Sequence, residues 1–458
     1  MKKLLFLFLL IPFLSPAQEE EFAIGSINDE AAYAQLPQKA TQLTRNYTFL
    51  PPRASLKSYC PTPSSQGSYG TCVGWSTAYA ARTILEAKNN GITNASQNAR
   101  EAFSPAYVYT HIKSQGDVNC QYGSCIIDAM RLLKASGVSK KTTFFANCAS
   151  SVPSYAETEA SSYKIDDFFT LFSTSASAEK KISSTKMALY QGRPVVISMA
   201  CYKSFSYAGR CWNGVADKLR GYHAMCVIGY DDTVAGGSFQ IMNSWGTTWG
   251  EGGFVWVPYS HYANYVNYAY EMYVSKKSNI NTVSLSGSME IRLSSGETMP
   301  VTLSYDGNNR VYKVSHSYTS GTRYRIYLNN NEPAYVYVLG ADKSGSLDKL
   351  FPQASNISPA LVYSKNNIAI PDEKWYIEMD NTVGTDYLCL LYCRGEIDIN
   401  TLCARMSSLS GSLPQRLYAA LGNTYVDNSE ISFSNNSVAF STKSTKSVLP
   451  VIVEIPHH

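Results

Sequence analysis

The stretch Gln66-Gly67-Ser68-Tyr69-Gly70-Thr71-Cys72-Val73-Gly74-Trp75-Ser76 sets a cysteine where a Gly-containing loop runs into an Ala-rich helical pattern. That pattern continues to Asn90, with Trp75, Tyr79 and Ile84 available for burial and Gly91 as the stop, and predicts a helix over 72–90. A thiol at a helix N-terminus feels the positive end of the macrodipole, which favours the nucleophilic thiolate. The backbone N–H groups of the first turn also point at any oxyanion formed beside the sulfur. Gln66, six residues upstream, supplies a side-chain amide as a second donor. Taken alone, Cys72 reads more readily as a core cysteine, because cysteine is among the most buried residue types.

Two segments further on carry compatible chemistry. In Gly221-Tyr222-His223-Ala224-Met225-Cys226-Val227-Ile228-Gly229-Tyr230, a histidine stands at the start of an apolar strand. His457 and His458 are tail residues, which leaves His111, His223, His261 and His316 as candidate bases. In Asn243-Ser244-Trp245-Gly246-Thr247-Thr248-Trp249-Gly250-Glu251-Gly252-Gly253, an amide follows a strand. An amide can accept from a histidine N–H and fix its tautomer without adding charge, which suits a thiolate–imidazolium pair. The two Trp at i and i+4 are placed to shield that hydrogen bond from water.

Around these motifs the chain falls into blocks. Ser104-Pro105 opens a second helix through His111, and Ile126–Lys134 forms a third, ended by Gly137. Pro194–Met199, Ala224–Tyr230, Phe239–Asn243 and Gly253–Val257 read as strands. Early helices and late strands predict an α+β domain of two lobes over residues 47–277. Residues 278–458 change character to short β-like runs such as YRIYLN and AYVYVLG, with one helical stretch at Leu413–Leu421. They predict an all-β, sandwich-like domain. Residues 18–46 are polar and read as a short pro-segment or linker. Met1–Ala17 has two lysines, an 11-residue apolar run from Leu4 to Leu14, and Ser15 and Ala17 at the −3 and −1 positions of a cleavage site. It reads as an export signal cut after Ala17, too short to span a bilayer, which implies a secreted, periplasmic or cell-surface protein.

With 45% apolar residues in 458 the chain can bury large cores and is not a disordered protein. Its 39 basic and 35 acidic residues nearly balance, which argues against nucleic acid as the main partner. No His/Cys cluster has metal-ligand spacing, and no Gly-rich loop precedes a helix with a Lys, so no metal or cofactor is implied. The 11 cysteines leave at least one thiol unpaired. Cys201 with Cys211, or Cys120 with Cys125 or Cys148, are the clusters in which a bridge is expected.

In combination the three motifs resemble those of the papain-like (cathepsin-type) cysteine peptidases, in a secreted bacterial form. Gln66 and Cys72 keep the family's six-residue spacing. His223-Ala224 followed by an apolar strand and Gly229-Tyr230 matches its histidine motif, and Asn243 to Gly246 with Trp249-Gly250 matches its asparagine motif. The likeness covers about 225 of the 458 residues. It implies a two-lobed fold, a helical lobe against a β-barrel-like lobe, with a groove between them for a peptide or protein substrate. Cys72 would be the nucleophile, His223 the acid/base, Asn243 its orienting group and Gln66 an oxyanion donor. Gly123-Ser124 resembles the segment that pairs with an extended peptide, and Ile126, Ala224 and Trp245 are the expected lining residues. There are departures: Tyr69 replaces a cysteine, Val73 an aromatic, and Ser124 a second glycine. The C-terminal half resembles a β-rich domain of unknown function in bacterial envelope proteins, through Leu350-Phe351-Pro352.

Other readings use the same residues. A different Cys-His acyl transferase would orient its histidine with an acid rather than with Asn243. A catalytically inactive scaffold would act by binding or adhesion through the C-terminal domain, with a cell-surface, glycan or protein partner.

Overall fold

The computed structural model describes residues 22–43, 46, 48–275, 284–342, 344–363 and 366–458. The expected leader over 1–17 and the expected boundary at 277/278 lie outside those residues.

The first unit is an α+β body. Its helical side is built on Cys72–Gly74, Trp75–Arg82 and Thr83–Asn90, which run on as one rod whose middle segment has π geometry. Every residue from Cys72 to Leu85 is buried, Arg82 included, whose Nη1 pairs with Glu86 one turn on at 2.8 Å. Gly91 ends it in the left-handed region at φ 69°, where a side chain would be strained. Pro105–Ile112 is capped by Ser104, whose hydroxyl accepts from the Tyr107 N–H. Ile126–Ala135 follows the short strand Ser124–Cys125. The other side is a nine-stranded sheet centred on Leu219–Asp231, Val195–Tyr202 and Val266–Tyr273. Val195–Tyr202 is covered on both faces, which explains its near-continuous apolar run.

The second unit packs a six-stranded sheet on a seven-stranded one. Period-two alternation sets the layers. Along Gly384–Cys393, Leu388, Leu390 and Tyr392 enter the core between the sheets. Cys389, Leu391 and Cys393 face the opposite way, onto two helices. One is Leu413–Leu421, as the sequence predicts; the other, Ile399–Ser407, corrects the all-helix-poor reading of this half. Asp398 caps it through the Thr401 N–H, and Leu402 and Met406, one turn apart, supply its buried stripe. Two residues of the first unit, Phe169 and Met187, share that outer core with Tyr335 and Tyr363.

Residues 22–43 form a strap over the first unit. Ser26–Ile27 is a strand wedged into the large sheet, parallel to Ser124–Cys125 and antiparallel at Tyr222. The helix Glu30–Ala34 follows, and Tyr33 stacks on Tyr268 at 4.2 Å and donates to the Phe172 carbonyl. Farther on, Lys39 Nζ lies 2.8 Å from Oε1 of fully buried Glu271, which also accepts from the Tyr363 hydroxyl at 2.5 Å and lies 3.5 Å from Arg193 Nε. Removing one partner of a buried ion pair leaves the other charge uncompensated, a loss of about 3–5 kcal/mol. Glu271→Ala should therefore lower the urea midpoint of the first unit, read by tryptophan fluorescence. Glu271→Gln, which keeps hydrogen bonds, should lose less.

Cysteine pairing differs from one of the two expectations. Cys120 and Cys148 form a disulfide with Cα atoms 5.7 Å apart, whereas Cys201 and Cys211 are both free. Cys201 points into the core from its strand, and Cys211 is exposed.

Candidate active site

Cys72 is the first helical residue, with Thr71 at the cap position. Gly70 lets the loop pass against the Gln121 carbonyl, where a Cβ would lie at 2.9 Å. The Cys72 sulfur is wholly buried and accepts from the Ala224 N–H at 3.5 Å. That bond puts the sulfur beside the His223 peptide. The backbone N–H groups of Gly25 and Val73 also reach it.

His223 lies inside its strand rather than at the start, because the strand begins at Leu219 and pairs there with Tyr202. Its Nε2 is 2.8 Å from Asn243 Oδ1. Its Nδ1 has no hydrogen-bond partner among the described residues, so it is the ring nitrogen left for proton exchange. Trp245 lies flat on the imidazole, centroids 4.7 Å apart and planes 16° apart, and Trp249 meets Trp245 edge-on at 5.1 Å. The two rings keep water off the His223–Asn243 bond. Asn243 is held by its own N–H to the Gly253 carbonyl. Gly253 sits at φ 90°, and a side chain there would strike Pro63. The other candidate bases are elsewhere: His111 pairs with Glu157 at 2.7 Å, His261 is in the helix Tyr259–Tyr265, and His316 lies in the second unit.

Gln66 is buried and fixed at both ends. Ser244 Oγ donates to its Oε1 at 2.6 Å, and its Nε2 donates to the Tyr69 carbonyl at 2.8 Å. An amide nitrogen carries two hydrogens, so one donor remains for a ligand in the cleft.

The strap fills the space in front of these groups and touches most of the expected lining residues. Ser124 N–H donates to the Gly25 carbonyl at 2.9 Å. Gly25 and Gly123 are close enough that a Cβ on either would run into the other segment's backbone or into Gly70. Trp245 Nε1 donates to the Ala23 carbonyl at 2.9 Å, and its ring stacks on Phe22 at 4.9 Å. Ala224 contributes its N–H to the sulfur, and Ile126 is buried at the head of its helix. Two contacts escaped sequence reasoning. Arg220 Nη2 donates to the Phe22 carbonyl at 2.7 Å. Ser198 Oγ donates to Asn28 Oδ1 at 2.7 Å and lies 3.0 Å from Ser26 Oγ. The signal for Ser198 was present, as the lone hydroxyl in the apolar run PVVISM.

With the strap in place, burial outweighs the N–H groups around the sulfur and pushes the Cys72 thiol up to about 11. Burial also pushes His223 down to about 4, against the Asn243 bond and helped by the Arg220 charge. Both groups are therefore held neutral. The sign for strap release follows from linkage. Between the usual histidine value of about 6.5 and about 4, a released state takes up a proton that the closed state refuses, so acid favours release. Each pH unit in that window shifts the balance by up to about tenfold. Acrylamide quenching of the buried Trp245 should rise from pH 6.5 towards pH 4 and stay flat in His223→Gln.

Residues 53–275 match the family model described as papain family cysteine protease, and residues 317–394 match a domain of unknown function (DUF4384). Among curated proteins, an uncharacterized peptidase C1-like protein of Acanthamoeba polyphaga mimivirus is 23% identical over 212 residues, 43% of this chain and 65% of its own length. Cathepsin B-like cysteine proteinase 3 of Caenorhabditis elegans is 27% identical over 213 residues, 42% of this chain and 55% of its own length. The chain thus spans less than two thirds of either relative. Among solved structures, xylellain, a cysteine protease from Xylella fastidiosa, aligns with a TM-score of 0.45 at 23% identity, over 56% of this chain and 96% of that one.

Proposed function

Residues 53–275 form a papain-family domain, and from that premise we propose that this chain is a cysteine peptidase made in a latent form. Cys72 passes its thiol proton to His223 Nδ1 and attacks the scissile carbonyl as the thiolate; Nδ1 gives that proton to the leaving amine, then draws one from the water that frees the acyl group and returns it to the departing sulfur. Asn243 holds the ring, and Gln66 with the Cys72 N–H binds the oxyanion. The observation that carries this reading is the His223–Asn243 bond beneath Trp245, next to a helix-start thiol held by the Ala224 N–H.

The strap's geometry supports latency. The Gly25 N–H reaches the sulfur while the Gly25 carbonyl is taken up by the Ser124 N–H, so the segment covers the nucleophile. Export through the Met1–Ala17 leader belongs to the same proposal. The test is hydrolysis of fluorogenic peptides by a chain beginning at Asp29, which lacks the part of the strap in the cleft. Gln66→Ala in that background should lower kcat about 10²–10³-fold with little change in KM, as loss of one oxyanion donor does elsewhere. An unchanged kcat would remove Gln66 from the mechanism. Failure of the trimmed chain on every peptide would count against peptidase action.

A further inference from the structure

The strap continues past the cleft into a second set of contacts. Around Gln38 the strap makes an isolated parallel bridge to each unit, at Thr170 and at Ile357. On one edge, the Thr170 N–H donates to the Pro37 carbonyl and the Lys39 N–H to the Thr170 carbonyl, both at 3.1 Å. On the other edge, the Gln38 N–H donates to the Asn356 carbonyl at 2.7 Å and the Ser358 N–H to the Gln38 carbonyl at 2.8 Å. A few residues on, the Leu43 N–H donates to the Asn367 carbonyl at 2.8 Å. The Gln42 side chain reads the same segment, its Nε2 donating to Asn366 Oδ1 at 2.8 Å and its Oε1 accepting from the Asn367 N–H at 3.0 Å. Asn366 is itself fixed, donating to Asn330 Oδ1 at 2.7 Å. The Lys39 ammonium lies 3.1 Å from the centre of the Tyr363 ring, and Ala40 packs on the core between the two sheets.

We propose that the C-terminal unit is an intramolecular receptor for residues 37–43, and that by gripping this segment it keeps the strap seated over Cys72. The inference rests on the reading that the strap blocks a peptidase site, and it assigns a task to the domain of unknown function. The site takes an extended peptide by backbone pairing along Asn356–Ser358 and by a glutamine read at Asn366 and Asn367. Its physical effect is on effective concentration. A strap held at its far end re-enters the cleft as an intramolecular ligand, whereas a freed one does so from a much larger volume.

The test uses the full-length chain and an epoxide thiol reagent, with the Cys72 adduct located by peptide mass. Gln42→Ala removes the side-chain contacts with Asn366 and Asn367, and Ala40→Glu sets a charge against the sandwich core. Both substitutions lie in the strap, so the sandwich keeps its own sequence. Gln42→Ala, which loses two hydrogen bonds, should raise the rate of Cys72 labelling about tenfold, and Ala40→Glu should raise it as well. Gly25→Val, whose side chain would strike Gly70, frees the strap at the cleft and is the reference. If Gly25→Val labels fast while both other variants stay at the wild-type rate, the receptor role is wrong and the blocked-peptidase reading stands. If Gly25→Val also fails to label, the blocked-peptidase reading falls and the receptor role with it. Hydrogen exchange gives a second readout. Faster exchange confined to residues 22–43 supports a released ligand. Equal acceleration along Gly384–Cys393 would mean that residues 37–43 are a fixed part of the sandwich, which overturns the proposal.

Discussion

Cys72→Ala in the chain beginning at Asp29 should reduce peptide hydrolysis about 10⁶-fold, to background, on the scale of removing a protease nucleophile. The side chain lost is one sulfur in a space already lined by the Ala224, Gly25 and Val73 N–H groups, so packing changes little. Circular dichroism and the urea midpoint should stay close to wild type. The same substitution separates this thiol from the other free cysteines. Cys60, Cys201, Cys226, Cys389 and Cys393 are buried, and burial raises each thiol above its usual range. Retained turnover in Cys72→Ala would refute the assignment.

The second large effect is expected from the strap. Between Phe22 and Asn28 the cleft contributes hydrogen bonds from Arg220 to Phe22, Trp245 to Ala23, Ser124 to Gly25 and Ser198 to Asn28, with Ser26 against Ser198. These contacts hold the segment over Cys72 as an intramolecular ligand, which a peptide must displace before it can reach the sulfur. A chain beginning at Asp29 should therefore turn over peptides about 10²-fold faster or more than the full-length chain at neutral pH, the scale of losing a tethered ligand. A progress-curve assay of the two proteins side by side measures this directly. Equal rates would mean that the strap does not obstruct the site.

Much of the site was legible because its chemistry leaves marks at fixed places in the chain. A cysteine after Gly70-Thr71 and before an Ala-rich run reads as a helix start, and the structure puts Cys72 there. Asn243 was legible as an amide at a strand end, with two Trp at a spacing that lets one cover the bond and the other cover the first. The strap was not legible. Its contacts at Gly25 and Gln38 are made by backbone groups, which every residue carries, so no side chain announces them. Where side chains do take part, Lys39 meets Glu271 and Gln42 meets Asn366 across more than 200 positions of sequence. The helix Ile399–Ser407 was missed because its buried stripe is only Leu402 and Met406, too short a period to stand out from neighbouring β-like text. The strand Gly384–Cys393 is one of the short β-like runs of the C-terminal half. Both faces are buried, the second by those two helices and by Tyr335 and Tyr337 of the adjacent strand.

The most direct test of the central claim is covalent labelling of the chain beginning at Asp29 with an epoxide that traps activated thiols, in wild-type and His223→Ala forms. A single adduct at Cys72 that weakens sharply in His223→Ala is the expected result, because the neighbouring imidazole is what makes this thiol a nucleophile. Labelling at Cys72 that is indifferent to His223, or no labelling at Cys72 once the strap is gone, would contradict the account. The papain-family domain would then be a binding scaffold.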